Sequence, residues 1–165
     1  MIAALARQLA HPLSRAVRRF RERHLRQAIN FYPPYLGAGV HVVEWSADHR
    51  TVGVEMRLTW WNGNYMGTHF GGSLYAMCDP FFALMVIKNL GPDYVVWDKA
   101  ASIQFLRPGR GTVRATFHLE PEALDALRGA VETAGRTEMT FGVDVVDAAG
   151  KVVAQVEKVV YVRRA

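Results

Sequence analysis

Asp79 is the only carboxylate in the most apolar run of the chain, residues 71–90, and that run opens on Gly71-Gly72. A carboxylate placed this way can take a proton from water as a general base or attack a carbonyl as a nucleophile. A helix starting on two glycines exposes unpaired N–H groups and the positive end of its dipole, and the missing side chains let a substrate carbonyl come close. Aimed at a developing oxyanion, each such donor is worth about 3–4 kcal/mol. Asn64, in the Asn- and Gly-rich loop ahead of the run, could orient a water or that carbonyl. Each residue also has a structural reading. Asp79-Pro80 has the form of a helix start, with Asp as N-cap and Pro as first residue. Gly71-Gly72 suit close packing of helix on sheet, and Asn64 suits a turn.

Other chemistries are set aside on spacing. Gly71-Gly72-Ser73-Leu74-Tyr75 lacks the last glycine of a nucleophile elbow, and neither Gly37-Ala38-Gly39 nor Gly109-Arg110-Gly111 completes a dinucleotide fingerprint. The six histidines show no metal-ligand spacing, so no metal is expected. Cys78, the single cysteine, excludes a disulfide scaffold and reads as core.

The elements that must position these groups follow from periodicity. Val52, Val54, Met56 and Leu58 alternate with Gly53, Glu55 and Arg57, as in a half-buried antiparallel strand over 51–58, after a first strand over 40–46. The run 71–90 is apolar almost all round and reads as a helix buried in the core. Strands are expected over 97–106, 112–120, 136–147 and 152–162, with a short helix from Pro121 to Glu132 between the second and third of these. The order implies an α+β domain whose antiparallel sheet wraps around a central helix.

At 165 residues and 50% hydrophobic, the chain is long enough for one buried core and too short for two catalytic domains. Its net charge of +5 suggests a polyanionic partner until it is resolved by segment. Residues 1–30 hold seven arginines and one acid, and the rest of the chain nets −1. Leu5, Leu9, Leu13, Val17 and Phe20 recur at mostly helical spacing there, so residues 1–34 read as a basic amphipathic helical extension, ended by Pro33-Pro34 and Gly37/Gly39, ahead of a domain over 35–165. Arg7 and His11 interrupt any signal-peptide core, and no apolar stretch reaches bilayer length, which points to a cytoplasmic protein. The extension lacks an aromatic stacking platform, so no nucleic acid is expected. Peripheral membrane contact through it stays open.

With Asn64, seven residues before Gly71-Gly72, and Asp79, eight residues after Gly71, the sequence resembles the hotdog-fold acyl-CoA thioesterase superfamily, in particular its phenylacetate-pathway branch and an uncharacterised sub-branch. Phe105-Leu106-Arg107-Pro108-Gly109 resembles that family's strand-end motif. Gly135-Arg136, Val143-Asp144-Val145 and Gly150-Lys151-Val152-Val153-Ala154 resemble its closing hairpin. The likeness spans about residues 35–163. It implies a hotdog fold, hydrolysis of acyl-CoA or a related acyl thioester, and coenzyme A as part of the substrate rather than a cofactor. It also implies a site shared between two subunits, glycines from one and the carboxylate from the other, hence a homodimer or dimer of dimers. Asp79, Asn64, Gly71 and Gly72 become the catalytic candidates. His69, Phe70, Tyr75, Arg107 and Arg110 become substrate-binding candidates, the arginines toward the coenzyme A phosphates. In the resembled enzymes a His directly precedes the glycine pair; here Phe70 does, and His69 sits one residue earlier. The hotdog dehydratases place an acid fourteen residues after their His, where this chain has Ala83. The competing function is a non-catalytic acyl-binding or scaffold protein on the same fold, with Asp79 only a cap.

Overall fold

The computed structural model describes residues 25–165; residues 1–24, most of the basic extension, lie outside the described residues. Two short helices come first, α1 (Leu25–Asn30) and α2 (Pro33–Ala38). Pro33 and Pro34 open α2 rather than ending the helical segment, because proline at the first helical positions gives up only N–H groups that have no intrahelical acceptor. Gly39 closes α2 at φ +75°, and a Cβ there would meet Asn62 Nδ2 at 2.7 Å. The remaining elements are β1 (Val40–Trp45), β2 (Thr51–Arg57), α3 (Gly71–Ala76), α4 (Phe81–Leu90), β3 (Tyr94–Phe105), β4 (Thr112–His118), α5 (Pro121–Ala134), β5 (Arg136–Asp147) and β6 (Val152–Arg164).

The six strands form one sheet in the order β1-β2-β4-β5-β6-β3, every neighbouring pair antiparallel. Alternation sets its inner face: Val52, Val54 and Met56 from β2, Val113, Ala115 and Phe117 from β4, Val156, Val160 and Val162 from β6. The apolar run 71–90 lies in the core as expected, in two pieces rather than one. α3 and α4 are separated around Asp79-Pro80, a cis peptide bond, where Pro80 has no N–H to continue the helical ladder. Phe81, Phe82, Met85 and Val86 of α4 are fully or almost fully buried, with Phe81 and Phe82 packed on Phe117 and Phe82 stacked on Phe141 at 4.9 Å. Leu124, Leu127 and Val131 give α5 one apolar stripe, buried beside β5.

The two sheet edges are finished differently. On β1 the Asn30 side chain accepts from Val42 N–H (2.7 Å) and donates to Val42 O (3.1 Å), while Arg26 donates to Val43 O (3.0 Å). α1 therefore takes up hydrogen-bonding groups that a further strand would need. On β3, twelve residues long, no group among the described residues hydrogen-bonds to the outer edge.

Candidate active site

Two groups of residues hold the chemistry, one at each end of α3. At its start, Asn64 organises the preceding loop. Its Oδ1 accepts from Met66 N–H (2.9 Å) and Thr68 N–H (3.1 Å), and its Nδ2 donates to Thr68 Oγ1 (2.9 Å) and His69 O (3.2 Å). The Asn64 side chain thus serves its own loop. Thr59 and Asn62 brace the loop from below: Asn62, buried, accepts from Thr59 N–H and donates to Ala38 O and Arg57 O. His69 ties this loop to the one after β3, its N–H donating to Gly109 O and its Nε2 to Gly111 O, both at 3.0 Å. Burial lowers the His69 pKa, opposed by the bond to Gly111, so the ring is held neutral with its proton on Nε2. Its buried Nδ1 then faces no donor.

Phe70 is the N-cap residue of α3, and the Gly71 and Gly72 N–H groups find no acceptor among the described residues. Gly71 opens on a cleft of about 540 Å³. Asn64, His69, Leu74, Phe105, Arg107 and Arg110 share its lining, so five of the candidates (Asn64, His69, Gly71, Arg107 and Arg110) meet at one cavity. A Cβ at 71 would lie 2.9 Å from Phe105 Cζ, so a side chain there would have to push the exposed Phe105 ring aside. At Gly72 the place of a Cβ is taken by the Phe70 ring, itself half-exposed over a separate recess beside Trp61 and Ser73.

Asp79 and Tyr75 lie elsewhere, at the far end of α3. The Asp79 carboxylate makes no capping bond to α4; its Oδ1 is ion-paired with Lys158 Nζ. Lys158 Nζ also reaches Asp98 Oδ2 at 3.0 Å and donates to Tyr75 Oη at 3.1 Å. The lysine side chain is 0% exposed, that of Asp98 is 18% and that of Asp79 is 43%. Tyr35 donates its hydroxyl hydrogen to the Asp79 carbonyl. Burial works against the Lys158 ammonium, but its hydrogen bonds to Asp79, Asp98 and Tyr75 outweigh it and hold the pKa above its ordinary value. Burial pushes the Asp98 carboxyl upward, with Lys158 opposing and Asp79 adding to the rise. Burial pushes the Cys78 thiol up to about 12, which leaves it no thiolate at neutral pH.

Sequence reasoning missed Lys158 and Asp98. The usable signal was parity: Lys158 alternates in phase with Val156, Val160 and Val162 and therefore points inward. α3 alone puts about 9 Å between the glycines and the residues next to Asp79.

The sequence profile of a family described as a domain of unknown function (DUF4442) matches residues 21–162. No curated protein matches the sequence. Among solved structures, a Pseudomonas aeruginosa protein of unknown function described as a probable thioesterase is similar, with a TM-score of 0.74 at 18% identity, over 85% of this chain and 93% of that one. A Haemophilus influenzae thioesterase gives 0.62 at 14%, over 85% and 88%. The Escherichia coli PaaI protein from the phenylacetic acid degradation operon gives 0.57 at 19%, over 84% and 88%. At these identities the likeness shows the shared fold, the hotdog fold expected from the sequence.

Proposed function

This chain belongs to the DUF4442 family, and we propose that it hydrolyses acyl thioesters, with acyl-CoA as the substrate class and Asp79 as the base. The observation that carries this reading is a half-exposed carboxylate, Asp79, held through one oxygen by a fully buried lysine. The other oxygen meets no hydrogen-bond donor among the described residues, though the Asp98 carboxyl stands within reach of Asp79, and it can take a proton from water.

In the reaction, Asp79 removes a proton from water as the oxygen attacks the thioester carbonyl. The Gly71 and Gly72 N–H groups receive the oxyanion. Collapse breaks the C–S bond, and the proton held on Asp79 passes to the leaving thiolate. Products are a carboxylic acid and free thiol. The mouth of the cleft suits the carrier: Arg107 and Arg110 for phosphates, Leu74, Phe105 and Leu106 for the apolar arm.

The resemblance implies a shared site, in which the glycines of one chain face the Asp79 of another, and the length of α3 between the two groups, about 9 Å, suits it. The unpaired edge of β3 supports such a homodimer, since a strand edge of that length invites a second strand and the opposite edge of the sheet is blocked. The direct experiment incubates the full chain with acyl-CoAs of graded length and a thiol reagent, beside Asp79→Ala. Turnover of at least one acyl-CoA that the variant loses supports the reading. Equal rates for the two proteins at every length overturn it, and binding without turnover favours the non-catalytic alternative.

A further inference from the structure

A single buried cation between two carboxylates is a costly way to stabilise a sheet. Apolar side chains in place of the whole cluster of lysine and carboxylates would often fold at least as well, whereas removing the lysine alone strands the buried Asp98 carboxylate. Lys158 nevertheless sits fully buried in the β6 row that otherwise presents Val156, Val160 and Val162. Its three partners come from three separate elements: Tyr75 from α3, Asp79 from the junction before α4, and Asp98 from the β3 edge strand. The second carboxylate is not even fully used, because Asp98 Oδ1 is buried with no hydrogen-bond partner. The arrangement fixes the ammonium from behind and leaves Asp79 the more exposed of the two carboxylates, at 43% against 18% for Asp98.

We infer that Lys158 is the positioning residue of the reaction: anchored by Asp98 Oδ2 and Tyr75 Oη, it pins Asp79 by Oδ1 and leaves the other oxygen unpaired for the attacking water. This rests on the thioesterase reading and adds a residue to it. Lys158 has no exposed atom with which to meet substrate and acts only through Asp79. Tyr35 restrains the same residue from its backbone side, through the Asp79 carbonyl, so the carboxylate hangs from a main chain that is itself held.

Steady-state kinetics on the full chain test this, using the acyl-CoA that the wild type turns over fastest. Lys158→Met releases Asp79 while keeping the length and apolar stem of the side chain. A misplaced base loses about 10²-fold in kcat, with KM nearly unchanged because no substrate contact is removed. Lys158→Met added to Asp79→Asn lowers the residual rate by no more than about twofold, because the lysine has nothing left to position. Asp98→Asn loosens the anchor yet keeps a hydrogen-bond acceptor; kcat falls about tenfold, again with KM unchanged and again only when Asp79 is present. Circular dichroism and the urea midpoint report folding of each variant.

A folded Lys158→Met with wild-type kcat overturns the inference, as does a full multiplicative loss in the double variant. If Lys158→Met does not fold, Asp98→Asn decides, and an unchanged kcat there overturns it too. In each of these cases the wild type still hydrolyses acyl-CoA and the proposed function stands. A wild type that turns over no acyl thioester overturns the proposed function, and this inference with it.

Discussion

Gly71→Ala separates the two uses of a glycine at the head of α3, chemistry and packing, because they predict opposite results. The new Cβ would stand 2.9 Å from Phe105 Cζ and 3.1 Å from its Cε1. Ordinary carbon contacts lie at about 3.5–4.0 Å, so the ring tip must withdraw by about 0.6–1 Å. Phe105 is 57% exposed and the offending atoms are the far end of its side chain, so a small rotation suffices. Such a rotation costs about 0.5–1.5 kcal/mol. The backbone of Gly71 is not in the left-handed region, and alanine gains up to about 1 kcal/mol over glycine in a helix. The two nearly cancel, and the urea-derived stability stays within about 1 kcal/mol of wild type. Activity does not cancel. The methyl group occupies the approach of the thioester oxygen, and losing one oxyanion donor lowers kcat by about 10²–10³-fold. The assay is acyl-CoA turnover with a thiol reagent on protein whose urea midpoint has been measured. A stable variant with kcat within about threefold of wild type refutes the oxyanion role. A loss of more than about 2 kcal/mol shows instead that the glycine is there for packing.

Three further outcomes concern the scaffold that holds the cleft. Asn62→Ala strips Ala38 O, Arg57 O and Thr59 N–H of a buried partner and destabilises the protein by about 2–3 kcal/mol, read as a lower urea midpoint with an unchanged m-value. Phe82→Ala empties the stack against Phe117 and Phe141 and costs about 3–5 kcal/mol in the same measurement. His69 gives a pH signature. Burial holds its native pKa below the ordinary 6.5, so between those two values the unfolded chain binds a proton that the native ring refuses. Its contribution is complete above 6.5 and is lost as pH falls through 6.5 toward the native value. Urea midpoints measured on either side of that window fall in acid for wild type and fall less for His69→Gln.

The elements were legible where one residue type decided them. Val52, Val54 and Met56 announced β2, and Pro121 near its first turn announced α5. Burial of residues 71–90 was readable from their uniform apolarity, and their division was signalled only by Asp79-Pro80, which fits a cap as well as a break. Pro33-Pro34 misled because the same pair serves to stop one helix or to start the next. The loop candidates Asn64, His69, Arg107 and Arg110 converge on one cleft through the ties from His69 to Gly109 and Gly111, which join segments about forty residues apart. Lys158 was hidden by habit: a charge in an alternating strand is read as outward, although its parity with Val156 said otherwise. Its partners Asp79 and Asp98 are brought to it only by the sheet order, which no local pattern specifies.

A site built from two chains makes a demand that a site within one chain does not. Gly71→Ala and Asp79→Asn proteins, each inactive alone, are unfolded together and refolded as a mixture. In a mixed dimer one of the two sites combines the intact glycine of one chain with the intact carboxylate of the other. Random pairing makes half the dimers mixed, each with one working site, so the mixture recovers about a quarter of wild-type acyl-CoA turnover. A mixture no more active than the sum of its two parents contradicts the shared site.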